Sequence, residues 1–391
     1  MFEMSKKMRL FIPCYYAFFA NGMMALVLGS ILTYLIMEAD LNYSVAGGLL
    51  SAFAIGNLLA SFINPYIAGK IGRKKTTILL SALVPIDLFI ISLVAPVPVL
   101  YVACILLGIG RGSVSIINNM IVNDYDGTPL ALNLLHMTFA FGAFLAPFLT
   151  SVFITAGLNW RYIIYTVTIL TTISVIGYCS LPLEENKNQA KKSKEKKEKD
   201  FFKNVDFYFC GLLLFFYLGV ENCVNGWFVT YFKGIGIMSD NYATNLVSVT
   251  WIVIMVGRLV TGYMSKKISK YKIMLINCVC TVAFFILLIS TKDLTVITVS
   301  VVGLGFFFAG IYPTGIANAG EMIKGSTAGM SMLLAIAALG GIITPQIVGI
   351  IADGSVGLSG AIAFLSINVA MMLLFAILSY VRSKKIVGLQ A

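Results

Sequence analysis

Gly142-Ala143-Phe144-Leu145-Ala146-Pro147 returns about 198 residues later as Gly340-Gly341-Ile342-Ile343-Thr344-Pro345. Two more segments repeat on nearly the same spacing. Gly108-Ile109-Gly110 matches Gly303-Leu304-Gly305, and Ala68-Gly69-Lys70-Ile71-Gly72-Arg73-Lys74-Lys75 matches Ser265-Lys266-Lys267-Ile268-Ser269-Lys270-Tyr271-Lys272, at shifts from about 195 to about 197. A period close to half of the 391 residues marks a duplicated chain, the plan on which many secondary transporters are built. It implies two similar helical bundles facing one another, with a site where they meet that is exposed to each side in turn as they rock.

Composition fixes the medium. A hydrophobic share of 59% and a mean hydropathy of +0.92 exclude an ordinary soluble domain. About 20 apolar residues cross a bilayer as helix. That rule gives twelve spans, near 10–37, 44–68, 77–95, 98–122, 130–155, 160–182, 205–231, 242–265, 272–291, 294–318, 327–352 and 360–381. The expected class is an all-α membrane protein with a six-helix bundle over 1–183, a charged linker over 184–204 and a second bundle over 205–391.

The net charge of +11 suggests nucleic acid until its distribution is read. Lys and Arg gather in alternate loops: Lys6, Lys7 and Arg9; Lys70, Arg73, Lys74 and Lys75; eight Lys between 184 and 204; Lys266, Lys267, Lys270 and Lys272; Lys324; Arg382, Lys384 and Lys385. The opposite loops hold Arg161, Lys233 and Lys292. This positive-inside pattern puts both termini and the linker in the cytoplasm, whereas a nucleic-acid patch would gather on one soluble surface. The first apolar stretch is too long for a signal peptide and shows no convincing cleavage site, so it reads as a retained helix. All seven Cys fall within predicted helices, which argues against a disulfide framework.

Polar groups at bilayer depth are the best guide to function, because a charge there costs roughly 2.5–3.5 kcal/mol and usually faces a cavity. Asp87, Arg111, His136, Glu221 and Arg258 qualify. Arg111 either binds a polar or anionic solute through its planar fork or pairs with Asp87 on the neighbouring helix; the sequence leaves both open. Glu221 heads a cluster with Asn222 and Asn225, ahead of Trp227. Positions 221 and 225 share a helix face, and a carboxylate with amides can bond several hydroxyls, as a sugar presents. Glu221 is also the first candidate to carry a coupling proton. Trp227 on the bland reading belongs to the outer aromatic belt.

Asn21, Ser115, Asn119, Tyr312 and Gln346 are further cavity candidates, as are Tyr15, Tyr16, Asn118 and Thr314, and Trp251 could stack on a sugar ring. Arg258 reads as a snorkelling or gating residue. His136, the single histidine, reads as a satisfied core residue ahead of a proton relay, and without a Cys/His cluster neither a metal nor any other cofactor is expected. No phosphate-binding loop of the G-x-x-x-x-G-K-[ST] type occurs, so transport is passive or gradient-driven.

With these residues in place the chain resembles a major facilitator superfamily transporter over essentially its full length. Gly69-Lys70-Ile71-Gly72-Arg73-Lys74-Lys75 is similar to the superfamily's cytoplasmic loop signature, with glycine where the acidic residue usually stands. Within the superfamily it resembles the fucose–proton symporter and bacterial glucose/galactose permease group. The likeness is carried by Gly108-x-Gly110-x-Gly112 with Asn119, by Leu132-Asn133-Leu134-Leu135-His136, by Tyr217-x-Gly219-x-Glu221 with Gly226-Trp227 and Gly257-Arg258, and by Ala309-Gly310-Ile311-Tyr312-Pro313-Thr314. The resemblance implies a monosaccharide solute, a bacterial cytoplasmic membrane, a monomer, and Gly72, Arg73, Lys74 and Arg258 as gating positions. Proton-coupled relatives have acids in helices one and four. Here helix one has none in its membrane part and Ser115 occupies the helix-four place, so the likeness supports a sugar more than a proton. The alternatives are an organic-anion or drug carrier of the same fold and, from another class, a non-transporting membrane receptor. An enzyme is not expected, and neither is a nucleic-acid partner; the expected surroundings are the lipid bilayer and protons or another coupling ion.

Overall fold

The computed structural model describes residues 2–125, 129–181, 204–323 and 327–390. Their regular structure is helical: α1 (Phe2–Glu38), α2 (Tyr43–Ile71), α3 (Arg73–Ser92), α4 (Val97–Tyr125), α5 (Pro129–Thr155), α6 (Arg161–Cys179), α7 (Val205–Gly234), α8 (Asp240–Met264), α9 (Lys270–Ser290), α10 (Leu294–Ile323), α11 (Thr327–Ala352) and α12 (Gly357–Gln390). All twelve are long and apolar enough to cross a membrane. Number and order agree with the spans read from hydropathy. The largest departures are at the ends, where α1 starts at Phe2 and α12 runs to Gln390. Lys and Arg are good helix formers, so the helix continues where the apolar pattern stops.

Short caps explain the tight connections. The Asn42 side chain accepts from Val45 N at 2.8 Å to start α2, and Ser239 accepts from Tyr242 N at 3.2 Å to start α8. Between α2 and α3 the chain turns on one residue, Gly72, at φ 87°. That left-handed conformation favours glycine. The Gly72 carbonyl then accepts from Thr76 Oγ1 at 2.8 Å, closing the first turn of α3.

The chain divides into two compact units, Met1–Lys192 and Ser193–Ala391. The charged linker lies, apart from Asn204, outside the described residues. In the first unit α1 packs on α5, α2 on α4, and α3 on α4 and α6. In the second, α7 packs on α11 and α12, α8 on α10, and α9 on α10 and α12. Exposed Phe62, Ile169 and Leu259 are apolar surface of the kind hydrocarbon accepts.

The duplication is visible in the backbone. A Cβ on Gly142 would lie 2.0 Å from the Phe19 carbonyl oxygen, and a Cβ on Gly340 would lie 1.8 Å from that of Phe215. Both crossings let helices meet backbone to backbone, as small residues allow where no hydrophobic force draws helices together. One register is corrected. Gly108 meets the Phe53 carbonyl, and the corresponding contact in the second unit is made by Gly305 with Thr250. Gly108 therefore matches Gly305, about two residues from the pairing with Gly303 that the string Gly-x-Gly suggested. A motif of two glycines aligns equally well in either position; only the backbone contact separates them.

Polar clamps close opposite ends of related helix pairs. In the first unit Arg161 holds Glu38 at 2.5 and 3.0 Å and donates through Nε to the Ser92 carbonyl at 2.7 Å. Trp160 Nε1 donates to the same carboxylate at 2.9 Å. This joins the end of α1 to α3 and the start of α6. In the second unit Arg382 holds Asp206 at 2.6 Å, joining the start of α7 to the end of α12.

Candidate functional site

In the first unit the candidate residues sit on α1 and α4. Arg111, half-buried near the middle of α4, donates from Nη1 to Asn57 Oδ1 of α2 at 2.9 Å. Its guanidinium also lies 5.7 Å from the Phe53 ring and 5.8 Å from the Phe139 ring. Aromatic faces attract a cation through the ring quadrupole. The ion pair with Asp87, one of two readings the sequence allowed, is not formed: Asp87 is 1% exposed and its Oδ2 has no hydrogen-bond partner. Half-buried Asn119 donates to the carbonyl of Ser115, one turn earlier in its own helix, at 2.8 Å. Asn118 is wholly buried and donates to Tyr178 Oη at 2.6 Å, a packing bond between α4 and α6. Asn21 is buried against α3, α4 and α6, beside Ser81, Val84, Val114, Thr171 and Ser174.

In the second unit α7 supplies the cluster. Tyr217 Oη donates to Glu221 Oε1 at 2.8 Å, across one helical turn. Tyr217 is itself fixed by the Phe308 ring at 5.4 Å and the Tyr312 ring at 6.4 Å, both on α10. The phenol thus brings Glu221 and Tyr312 into one group. Asn222 Nδ2 reaches α11, donating to the Gly341 carbonyl at 3.0 Å. Asn225 and Gln346 are half-buried, and Trp251 is buried in α8. Arg258 is half-buried, and its Nε has no hydrogen-bond partner.

Two of the readings open to the sequence do not hold: the belt alternative for Trp227 and the core placement of His136. Trp227 is no belt residue: it is 0% exposed, and Nε1 donates to the Pro345 carbonyl at 3.2 Å. An indole needs a partner for its N–H when buried, and α11 supplies one. His136 is exposed on α5 rather than in the core, with its ring edge-on to Phe18 at 5.4 Å. In the loop signature Gly72 makes the turn, Lys70 donates to Tyr66 Oη at 2.5 Å, and Arg73 and Lys74 begin α3.

Asn57 and Tyr217 are the site residues that the sequence reading passed over. The signal for Asn57 was present, since an amide in the apolar run Phe53-Ala54-Ile55-Gly56-Asn57-Leu58 also needs a partner in hydrocarbon. An uncharged amide stands out less in a span than an ionisable group does. Asn368, which donates to Thr344 Oγ1 at 3.2 Å between α12 and α11, escaped in the same way.

Comparison with known proteins bears on this geometry. The family model described as Major Facilitator Superfamily matches residues 14–303. The glucose/mannose transporter GlcP of Bacillus subtilis (strain 168) is 24% identical over 352 residues, covering 86% of each chain. Among solved structures, the nucleoside transporter NupG matches with a TM-score of 0.76 at 16% identity, covering 96% of this chain and 98% of its own. The xylose transporter XylE from E. coli, in a partially occluded inward-open conformation, matches at 0.74 and 14%, covering 95% and 97%. At these identities the two structures speak to the fold.

Proposed function

The chain belongs to the major facilitator superfamily, and on that premise we propose that it carries a monosaccharide or sugar derivative across the cytoplasmic membrane by alternating access. The observation that supports this is shared by the two units. Each places a charged side chain deep within a span and bonds it to a neutral group: Arg111 to the Asn57 amide at 2.9 Å, and Glu221 to the Tyr217 phenol at 2.8 Å. The amide and the phenol each fix the direction of the charged group they bond. A guanidinium offers donors in a fixed fork and a carboxylate offers acceptors, and a sugar hydroxyl can answer either. The name of the GlcP relative points the same way.

In this reading Arg111, Asn119, Glu221, Asn222 and Asn225 contact the solute, with Ser115, Trp251, Tyr312 and Gln346 around them. Glu221 is the group that takes up a coupling proton. Gly72, Arg73, Lys74 and Arg258 belong to the gate. The alternate-loop distribution of Lys and Arg puts both termini in the cytoplasm, and the protein works as a monomer in the bilayer.

A second reading has one specific support. Arg111 does not pair with Asp87, and its guanidinium fork suits an anionic group as well as a hydroxyl. Thermal stabilisation of the detergent-solubilised protein separates the two. A panel of neutral monosaccharides, sugar acids and nucleosides is expected to yield stabilisation by a neutral monosaccharide, lost in Arg111→Ala and in Glu221→Ala. A response to sugar acids alone would replace the neutral-sugar reading with the anionic one.

A further inference from the structure

A cavity of about 10 Å³ lies inside the first unit, walled by Asn21 of α1, Ser81 and Val84 of α3, Val114 of α4, and Thr171 and Ser174 of α6. Space of that size admits one water molecule. Asn21 is 3% exposed, and both its Nδ2 and its Oδ1 are without a hydrogen-bond partner. Buried polar groups are rarely left so, because the lost hydration is not repaid.

The wall around the amide has a definite polarity. Ser81 Oγ donates to the Ile78 carbonyl at 3.2 Å, Thr171 Oγ1 to that of Val167 at 2.8 Å, and Ser174 Oγ to that of Leu170 at 3.1 Å. Each hydroxyl hydrogen is committed to its own helix, so the three oxygens have only lone pairs to offer an occupant. Pro85 adds to this: it has no N–H to give to the Ser81 carbonyl one turn earlier. The site therefore offers several acceptors and one amide that both donates and accepts.

A water molecule is the complement. It accepts from Asn21 Nδ2 and gives its two hydrogens to wall oxygens. An apolar occupant would leave the amide unpaired. A sodium ion would find oxygens, but no charged side chain lines the cavity, and a buried ion without a counter-charge is strongly disfavoured. We propose that Asn21, Ser81, Thr171 and Ser174 hold one internal water that bridges α1 to α3 and α6. Asn21 then serves the packing of its unit instead of the solute. The assignment stands whether or not the solute is a sugar.

Radiolytic hydroxyl labelling of the full chain in detergent, read by mass spectrometry in 18O water, tests it. Radicals born at a bound water label neighbours that bulk radicals do not reach. Val84 at 2% exposure and Val114 at 5% line the cavity, while Val348 and Val369, at 0%, are buried elsewhere as references. Val84 and Val114 are expected to label several-fold faster than the references, and Asn21→Leu to bring them down to the reference rate. Ser174→Ala, which keeps the amide, should give a partial drop and covers the case in which the leucine variant does not fold. Reference-rate labelling in the unaltered protein overturns the proposal, as does labelling that Asn21→Leu leaves intact. So does protection of Val84 and Val114 by sodium that choline does not match, which would make the occupant a cation.

Discussion

Asn21 and Tyr217 occupy matching places in the two units. Each lies two residues beyond the phenylalanine whose carbonyl meets the glycine of the crossing helix: Phe19 against Gly142, and Phe215 against Gly340. Around that shared crossing the side chains diverge. The first unit has a short amide beside a cavity; the second has a phenol packed on Phe308 and bonded to Glu221. By the same spacing Glu221 matches Ala25. By the register of Gly108 and Gly305, Arg111 matches Phe308. Arg111 and Glu221 therefore each exist once, with an apolar residue at the matching place. The backbone kept the duplication, which packing demands, while the polar residues were placed one unit at a time.

The strongest way to probe that comparison is to empty the phenol's place. Tyr217→Ala removes a buried ring and should lower stability by about 3–5 kcal/mol, seen as a large fall in melting temperature. Asn21→Ala in the first unit should cost clearly less, and equal losses would mean that the two places are packed alike. Next come the crossings themselves. Gly142→Ala and Gly340→Ala force a Cβ against backbone and should each destabilise by about 1–3 kcal/mol, measured in the same melts. Indifference at one site alone would break the register on which the comparison rests.

Tyr217→Phe is subtler. It keeps the ring and removes the bond to Glu221, so it should leave the melt nearly unchanged and weaken solute affinity roughly tenfold, within the range for hydrogen bonds to charged groups; an unchanged KM for uptake would divorce the phenol from the solute. The smallest effect is expected at the clamps. Arg161→Ala unties α1, α3 and α6 at a half-exposed site and should cost about 1 kcal/mol or less. Arg382→Ala, with fewer partners and more exposure, should lower the melting temperature by less than that.

How much could be read without coordinates follows the same division. Helix number, order and the two-unit plan were legible because hydrocarbon imposes length and apolarity on each span. Gly142 and Gly340 stood out because close backbone approach admits little else. Partnerships were harder. Arg111 and Asp87 face adjacent helices at similar depth, yet rotation about each helix axis, which hydropathy does not encode, turns Arg111 to Asn57 and Asp87 into the packed interior. The same rotation carries Trp227 inward to the Pro345 carbonyl and leaves His136 exposed. Glu221 is legible because it is charged; the phenol that orients it is not, since a tyrosine in a span has several ordinary uses.

Uptake by the protein in sealed vesicles, with and without an imposed pH gradient, tests the central claim most directly. A neutral monosaccharide should be taken up, and its accumulation should follow the gradient in the unaltered protein and disappear in Glu221→Gln while exchange down a concentration gradient persists. Uptake confined to anions, or gradient-driven accumulation that survives the Gln substitution, would contradict it.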